Sequence, residues 1–223
     1  LTIRDLSIHG EGIGAVDDFT VFVPGALPGE TIQAMIVTAK KSYATGRLIS
    51  IVTPSAHRTT PACPVCHTCG GCQISHLTYE GQLAVKERRV KDVMVRIGGC
   101  EESLVRPIAG ASPPWNYRNK MAVPVSQVTS GPVLGYYRQG SHQVIPIASC
   151  AIQEEENNRL LRFAQGFMTR HQLAGYNEKT GRGSVRHIMG RVGDHGEVMA
   201  VIVTASGKLP LADLWISEMR KLL

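Results

Sequence analysis

Phe19-Thr20-Val21-Phe22-Val23-Pro24-Gly25-Ala26-Leu27-Pro28-Gly29-Glu30 is a short apolar run cut off by two proline–glycine pairs. Aromatic and β-branched side chains suit a pleated, half-buried strand. Proline lacks the N–H a ladder needs, and glycine permits the turn that follows. The pattern repeats on both sides. Leu1 to Ile8 alternates apolar and polar residues with a period of two, and Thr31 to Thr38 and Gly46 to Val52 supply two further strand-like runs. Several short strands with turn signals between them predict a small closed barrel of OB-like size. Gly10-Glu11-Gly12-Ile13-Gly14 has the glycine spacing of a nucleotide-binding loop, but such loops lead from a strand into a helix. Here Ala15 to Val21 returns to a strand, so the glycines predict a turn built on positive backbone angles.

Beyond the barrel, Thr53 to Ala62 is a proline-marked linker, and Leu77 to Ile97 has helical spacing at Leu83, Val90, Met94 and Ile97. The apolar positions of that helix exceed what its neighbours obviously need, which predicts packing against something outside this chain. Strands are expected around Met121 to Val125, Val133 to Tyr137 and Gln143 to Ile147, then a helix over Gln153 to Leu173. Ser184 to Val192 and Glu197 to Val203 form a hairpin around Gly193-Asp194-His195-Gly196. Leu211 to Leu223 is helical in pattern. The fold class is α+β, divided into a barrel over 1–53, a linker and cysteine loop over 54–76, and a central domain with antiparallel sheet and helices over 77–223.

The 223 residues are 43% hydrophobic and 19% charged, enough apolar material for real cores and too little charge for a disordered chain. The longest apolar run, Val198 to Val203, is far below the ~20 residues of a membrane-spanning helix. No signal-peptide pattern opens the sequence, so a cytoplasmic, soluble, monomeric protein is expected. Lys and Arg exceed Asp and Glu by six, which leans toward an anionic partner, most often nucleic acid.

Four of the six cysteines, Cys63, Cys66, Cys69 and Cys72, fall at three-residue steps; Cys100 and Cys150 are remote. Reducing conditions and the tight spacing disfavour a disulfide framework. A zinc ribbon needs two pairs separated by ~15–20 residues, whereas only two residues separate these pairs. An iron–sulfur cluster accepts several thiolates from one tight loop with a further ligand from far along the chain, and Gly70 and Gly71 would let backbone N–H groups approach the sulfurs. Iron–sulfur is the favoured metal and zinc the alternative. His67 and His76 flank the loop without pointing to ligation.

The run Cys63-x5-Cys69-Gly70-Gly71-Cys72-Gln73-x2-His76-Leu77, with Tyr79 and Lys86, strongly resembles the iron–sulfur motif of RNA 5-methyluridine (uracil-C5) methyltransferases. Gly10 to Gly14, Val23 to Glu30 and Pro54-Ser55-x2-Arg58-x2-Pro61 are similar to that family's TRAM domain, an OB-like RNA-binding barrel. Tyr117 to Lys120, Leu134 to Tyr137, Ser141-His142, Cys150-x-Ile152-Gln153 and Arg186 to Ile188 resemble its central domain. The resemblance implies that Cys63, Cys69, Cys72 and Cys150 hold a [4Fe–4S] cluster, with Cys66 outside the pattern. It also implies S-adenosylmethionine as methyl donor in the full-length enzyme only. The family's donor domain, nucleophilic cysteine and general base belong to a C-terminal half, and no strand–glycine loop–helix unit is legible here. No catalytic residue is therefore expected, and residues 1–223 alone are expected to be inactive.

The expected partner is ribosomal or transfer RNA. Lys40, Lys41, Tyr43 and Arg47 combine charge with an aromatic on the barrel, as single-stranded RNA requires. Arg118 and Lys120 follow Trp115 and Tyr117 and make a second candidate contact; Arg138, His142 and Arg186 are further candidates. The competing readings are a stand-alone zinc or iron–sulfur RNA-binding module and an electron-transfer protein.

Overall fold

Ile3–Leu6 (β1), Glu11–Val16 (β2), Phe19–Pro24 (β3), Thr31–Ala39 (β4) and Tyr43–Thr53 (β5) form one sheet in the order β1-β2-β3-β5-β4. The computed structural model describes residues 1–205 and 207–222. Its first sheet closes on itself. The Leu1 amine donates to the Ile32 carbonyl at 3.0 Å, the Ile32 amide returns a bond to the Leu1 carbonyl at 2.9 Å, and Thr2 pairs with Thr31. Closure removes the open edges a five-stranded sheet would otherwise expose. Ile3, Val21, Val23, Ala26, Ile32 and Ala44 fill the interior.

The expected glycine turn is instead mostly strand β2. Gly10 does turn, at φ +79°, but Gly12 and Gly14 are extended and pair with Val23 and Val21. They are glycines because of close approach: a Cβ at Gly12 would lie 2.8 Å from the Ala26 carbonyl oxygen, and one at Gly14 2.7 Å from that of Thr2. The tight β2–β3 turn falls to Asp17 and Asp18, with φ of 46° and 64°. Short acidic side chains tolerate this left-handed region, which suits a two-residue hairpin.

Helix α1 (Tyr79–Arg96) starts where the Thr78 hydroxyl accepts from the Gly81 amide at 3.2 Å, and it exits through Gly99 at φ +64°. Leu77, Leu6 and Leu27 form a small core beneath the barrel, and Arg89 donates to the Ser7 carbonyl. Those contacts put α1 in the barrel's unit, Leu1–Ala62 with Cys72–Ala111. The 63–71 segment joins the other unit instead, because the Gly70 amide donates to the Tyr137 carbonyl at 2.9 Å and Cys69 bridges to Arg138. The units are thus cut differently from the sequence-based division at 53 and 76. Only Gly81 of α1 is buried; Val90, Val93, Met94 and Val95, with Ile97 just past its end, are exposed.

The second unit, Cys63–Gly71 with Ser112–Leu223, is built on Lys120–Val128 (β6), Gly131–Tyr137 (β7), Val144–Pro146 (β8), Val185–Val192 (β9) and Val198–Thr204 (β10). Its order is β10-β9-β6-β7-β8 and every pairing is antiparallel. Glu155–Arg170 (α2) packs on one face with Leu160, Leu161, Ala164, Phe167 and Met168 buried. Ala212–Leu222 (α3) adds Trp215, whose ring lies 4.1 Å from that of Phe167. Met121, Val123, Val125 and Ile188 point to this core. Alternation therefore sends Lys120, Ala122 and Pro124 on β6, and His187, Met189 and Arg191 on β9, to the opposite face. No helix among the described residues is long and apolar enough to cross a membrane.

Candidate functional site

The cysteine loop is a chain of tight turns. The Cys66 amide donates to the Cys63 carbonyl at 3.3 Å, and the Cys69 amide to the Val65 carbonyl at 2.8 Å. Gly70 lies against β7, where a Cβ would meet the Tyr137 oxygen at 3.0 Å. The Gly71 amide donates to the Cys69 sulfur at 3.4 Å. Far along the chain, Cys150 stands just before α2. Asn158, buried in the first turns of that helix, grips it on both sides: its Oδ1 accepts from the Cys150 amide at 2.8 Å and its Nδ2 donates to the Cys150 carbonyl at 3.2 Å.

Burial pushes the Cys150 thiol above its ordinary pKa, and the nearby sulfurs of Cys63 and Cys69 add to the rise; amides of Ile152 and Gln153 donate toward its sulfur and oppose it. Three of the four expected ligands are thus brought into one another's electrostatic reach inside the second unit. Cys72 belongs to the first unit. All six cysteines, Cys66 and Cys100 included, are half-buried. Among the described residues, no three His, Cys, Asp or Glu side chains converge tightly enough to hold a metal ion. The donor chemistry nevertheless suits a thiolate-held cluster: soft sulfurs with backbone N–H groups aimed at two of them.

On the barrel, Lys40 and Lys41 occupy the β4–β5 turn, closed by the Lys40 amide donating to the Tyr43 carbonyl at 2.8 Å. Tyr43 and Arg47 share the outer face of β5, while Ala44 and Gly46 between them point inward. Tyr43 is held edge-on against Phe22 at 5.6 Å and remains 38% exposed. All four residues are exposed. In the second unit Trp115, Tyr117, Arg118 and Lys120 are exposed. The Arg118 amide donates to the Ile152 carbonyl at 2.8 Å, which fixes this segment beside the Cys150–Gln153 turn. Lys120 pairs across the sheet with Arg191. Like charges directly opposite each other repel, so an anion there would be welcome. Sequence reasoning had singled out neither Arg191 nor Asn158. A buried asparagine on the apolar side of α2 was the one available signal for the latter.

These two units define the class of protein: an OB-ordered barrel followed by an α+β unit with a cysteine loop. Residues 1–49 match the family model of the TRAM domain. Over 219 residues the chain is 43% identical to an uncharacterized RNA methyltransferase of Bacillus cereus, covering 98% of this chain and 48% of that protein. An uncharacterized RNA methyltransferase of Halalkalibacterium halodurans is 39% identical over 222 residues, covering 99% and 48%. The chain thus spans about half the length of the curated relatives it matches. Among solved structures, the tRNA (uracil-54, C5)-methyltransferase of Pyrococcus abyssi, crystallised with S-adenosyl-L-homocysteine, superposes with a TM-score of 0.73. It is 21% identical and covers 96% of this chain and 48% of that one, a likeness of fold.

Proposed function

We propose that residues 1–223 form the RNA-holding, cluster-carrying part of an S-adenosylmethionine-dependent RNA uracil-C5 methyltransferase acting on ribosomal or transfer RNA. The carrying observation is on the TRAM-matching barrel, where Lys40 and Lys41 are exposed in the β4–β5 turn and the exposed Tyr43 and Arg47 follow on one face of β5. Cations that track phosphates, interleaved with a ring on which a base can stack, are how single-stranded RNA is held. The exposed Arg118 and Lys120, with Trp115 and Tyr117, offer a second such surface. Similarity to RNA methyltransferases across nearly the whole chain supports the reaction class, and the fold shared with a uracil-C5 enzyme supports the target atom.

The methyl donor is assigned to the whole protein rather than to these residues. Among the described residues the one parallel strand pair is β3–β5, joined without a helix. A donor site of the usual kind is built on a strand–helix crossover. Cys63, Cys69, Cys72 and Cys150 are the proposed cluster ligands; the bound [4Fe–4S] group would supply a cross-link between the cysteine loop and the start of α2. The amides of Gly71, Ile152 and Gln153 would stabilise its thiolates.

Binding of a labelled single-stranded oligoribonucleotide, followed against salt, tests the RNA reading. Each phosphate neutralised adds ~0.7 to the log–log salt slope. Lys40→Gln with Lys41→Gln should lower that slope by ~1.4 and weaken binding without regard to sequence. An unchanged slope would remove the barrel face from the RNA path.

A further inference from the structure

The outer face of the second sheet carries an open cleft of about 440 Å³, bounded by the β7–β8 loop, the loop after α2 and β9. Its walls are rings and cations. Tyr137 and His142 lie face-tilted at 5.5 Å. The Arg186 guanidinium sits 4.6 Å above the Tyr176 ring. His142 is steadied by Glu178 at 3.1 Å, and Lys179 also lines the cleft. Building on the RNA reading above, we propose that this cleft seats one unpaired nucleotide of single-stranded RNA, its base stacked on Tyr137 or Tyr176 and its phosphate drawn to Arg186 and Lys179.

Several independent features support that occupant. The volume lies in the range of small-molecule sites, enough for a nucleotide and too large for trapped water. Stacked rings tolerate any base, and arginine already docked on an aromatic face is set to stack on a base or bind its phosphate. Burial, with help from Glu178, pushes the Tyr137 phenol upward, so the ring stays uncharged. Burial and the neighbouring Arg186 push His187 downward, so it is a neutral imidazole at pH 7. The walls thus offer the uncharged Tyr137 and His187, with positive charge from Arg186 and Lys179 and one carboxylate, Glu178, engaged by His142.

The surroundings favour a polymer over a free mononucleotide. Pro124 pairs with His187 at the cleft, and four residues along the same two strands Lys120 pairs with Arg191. Period-two alternation puts both pairs on the same face, ~13 Å apart. A cationic pair at that distance from a base-sized cleft suits a strand continuing past it.

The test uses residues 1–223 and a short fluorescein-labelled oligouridylate, with a copy bearing 4-thiouridine for photo-cross-linking. Cross-links should fall on Tyr137, Tyr176 or their neighbours in unsubstituted protein. Tyr137→Leu and Arg186→Gln should each weaken binding about tenfold, and Tyr137→Phe should stay within about twofold of the parent. Where a substitution disturbs folding, the cross-link position in unsubstituted protein decides. If the protein binds the oligonucleotide with cross-links confined to 1–62, and Arg186→Gln is silent, the cleft proposal is overturned while the RNA reading survives. If the oligonucleotide does not bind at all, the RNA reading itself fails. Binding of uridine monophosphate that depends on Arg186, without any effect of Arg186→Gln on the oligonucleotide, would make this a small-molecule site and overturn the proposal as well.

Discussion

Replacing Arg58 by methionine should unfold the barrel unit at much lower denaturant while leaving the second unit almost untouched. Glu30 is completely buried, and its oxygens accept from the Leu27 amide at 2.9 Å, the Ser55 amide at 3.3 Å, and both Nε and Nη2 of Arg58. Arg58 Nη2 also reaches the Gly25 carbonyl at 2.7 Å. Burial pushes the Glu30 carboxyl up, but Arg58 and the two amides outweigh it and hold it below the ordinary carboxylate value. Removing one partner of a buried pair costs about 3–5 kcal/mol, because the other charge stays desolvated. The Arg58 side chain keeps 22% exposure, so water can replace some of what is lost, and the lower end of that range, about 3 kcal/mol, is expected. With a urea slope of about 1.5 kcal/mol per molar, the midpoint should fall by about 2 M.

Both tryptophans, Trp115 and Trp215, lie in the second unit, so their fluorescence reports that unit while amide exchange over residues 1–62 reports the barrel. The pH dependence gives the sign. A depressed carboxyl contributes stability that is present above its unfolded value and is lost as pH falls through the folded one. The wild-type barrel should therefore weaken on acidification below pH ~4.5. In Arg58→Met the carboxyl loses the partner that opposed burial, so the penalty should be largest at neutral pH and shrink as Glu30 takes up a proton. Glu30→Met with Arg58→Met should recover more than half of the loss, since no charge is left buried. A single-variant cost under about 1 kcal/mol at neutral pH, or a penalty that grows with acid, would refute this account.

Cys150→Ser should reduce the iron and sulfide retained by anaerobically purified protein and bleach its visible absorption, whereas Cys66→Ser and Cys100→Ser should leave both unchanged; the reverse pattern would move the ligands into the local loop. Asn158→Leu should lower iron retention with all cysteines intact, because it frees the Cys150 backbone from both of its side-chain bonds. Gly70→Ala sets a Cβ 3.0 Å from the Tyr137 oxygen and should cost about 1–3 kcal/mol in the second unit, read by tryptophan fluorescence in urea. Residues 1–223 should bind no S-adenosylmethionine by calorimetry, and micromolar binding would relocate the donor site.

The barrel strands were legible where side chains alternate, as in Leu1 to Ile8, because period two is written directly in the residues. Strand β2 was not, since Gly12 and Gly14 carry no side chain to alternate and their reason for being glycine lies in Ala26 and Thr2, distant in sequence. A closed barrel was expected, but not its seam: pairing Leu1 with Ile32 is a matter of register between remote segments. The resemblance of Val23 to Glu30 and of Pro54 to Pro61 to one domain did carry the information, but not its cause. Glu30 sits at the end of one stretch and Arg58 within the other, and their buried ion pair ties the two together.

The candidate site divides along the same line between side chain and backbone. Three-residue cysteine spacing signals a shared ligand because thiols are chemically conspicuous, and the structure brings Cys63 and Cys69 within electrostatic reach of Cys150. What holds those sulfurs in place is inconspicuous: amides of Gly71, Ile152 and Gln153, and one buried asparagine of α2. Any residue except proline has an amide, so no sequence pattern marks which ones face a sulfur. The cationic surfaces follow the opposite rule. Lys40, Lys41, Tyr43 and Arg47 are close in sequence, and a turn with one strand suffices to gather them. Arg191 became visible only through its register opposite Lys120, where the repulsion of two cations is itself the clue to an anionic partner.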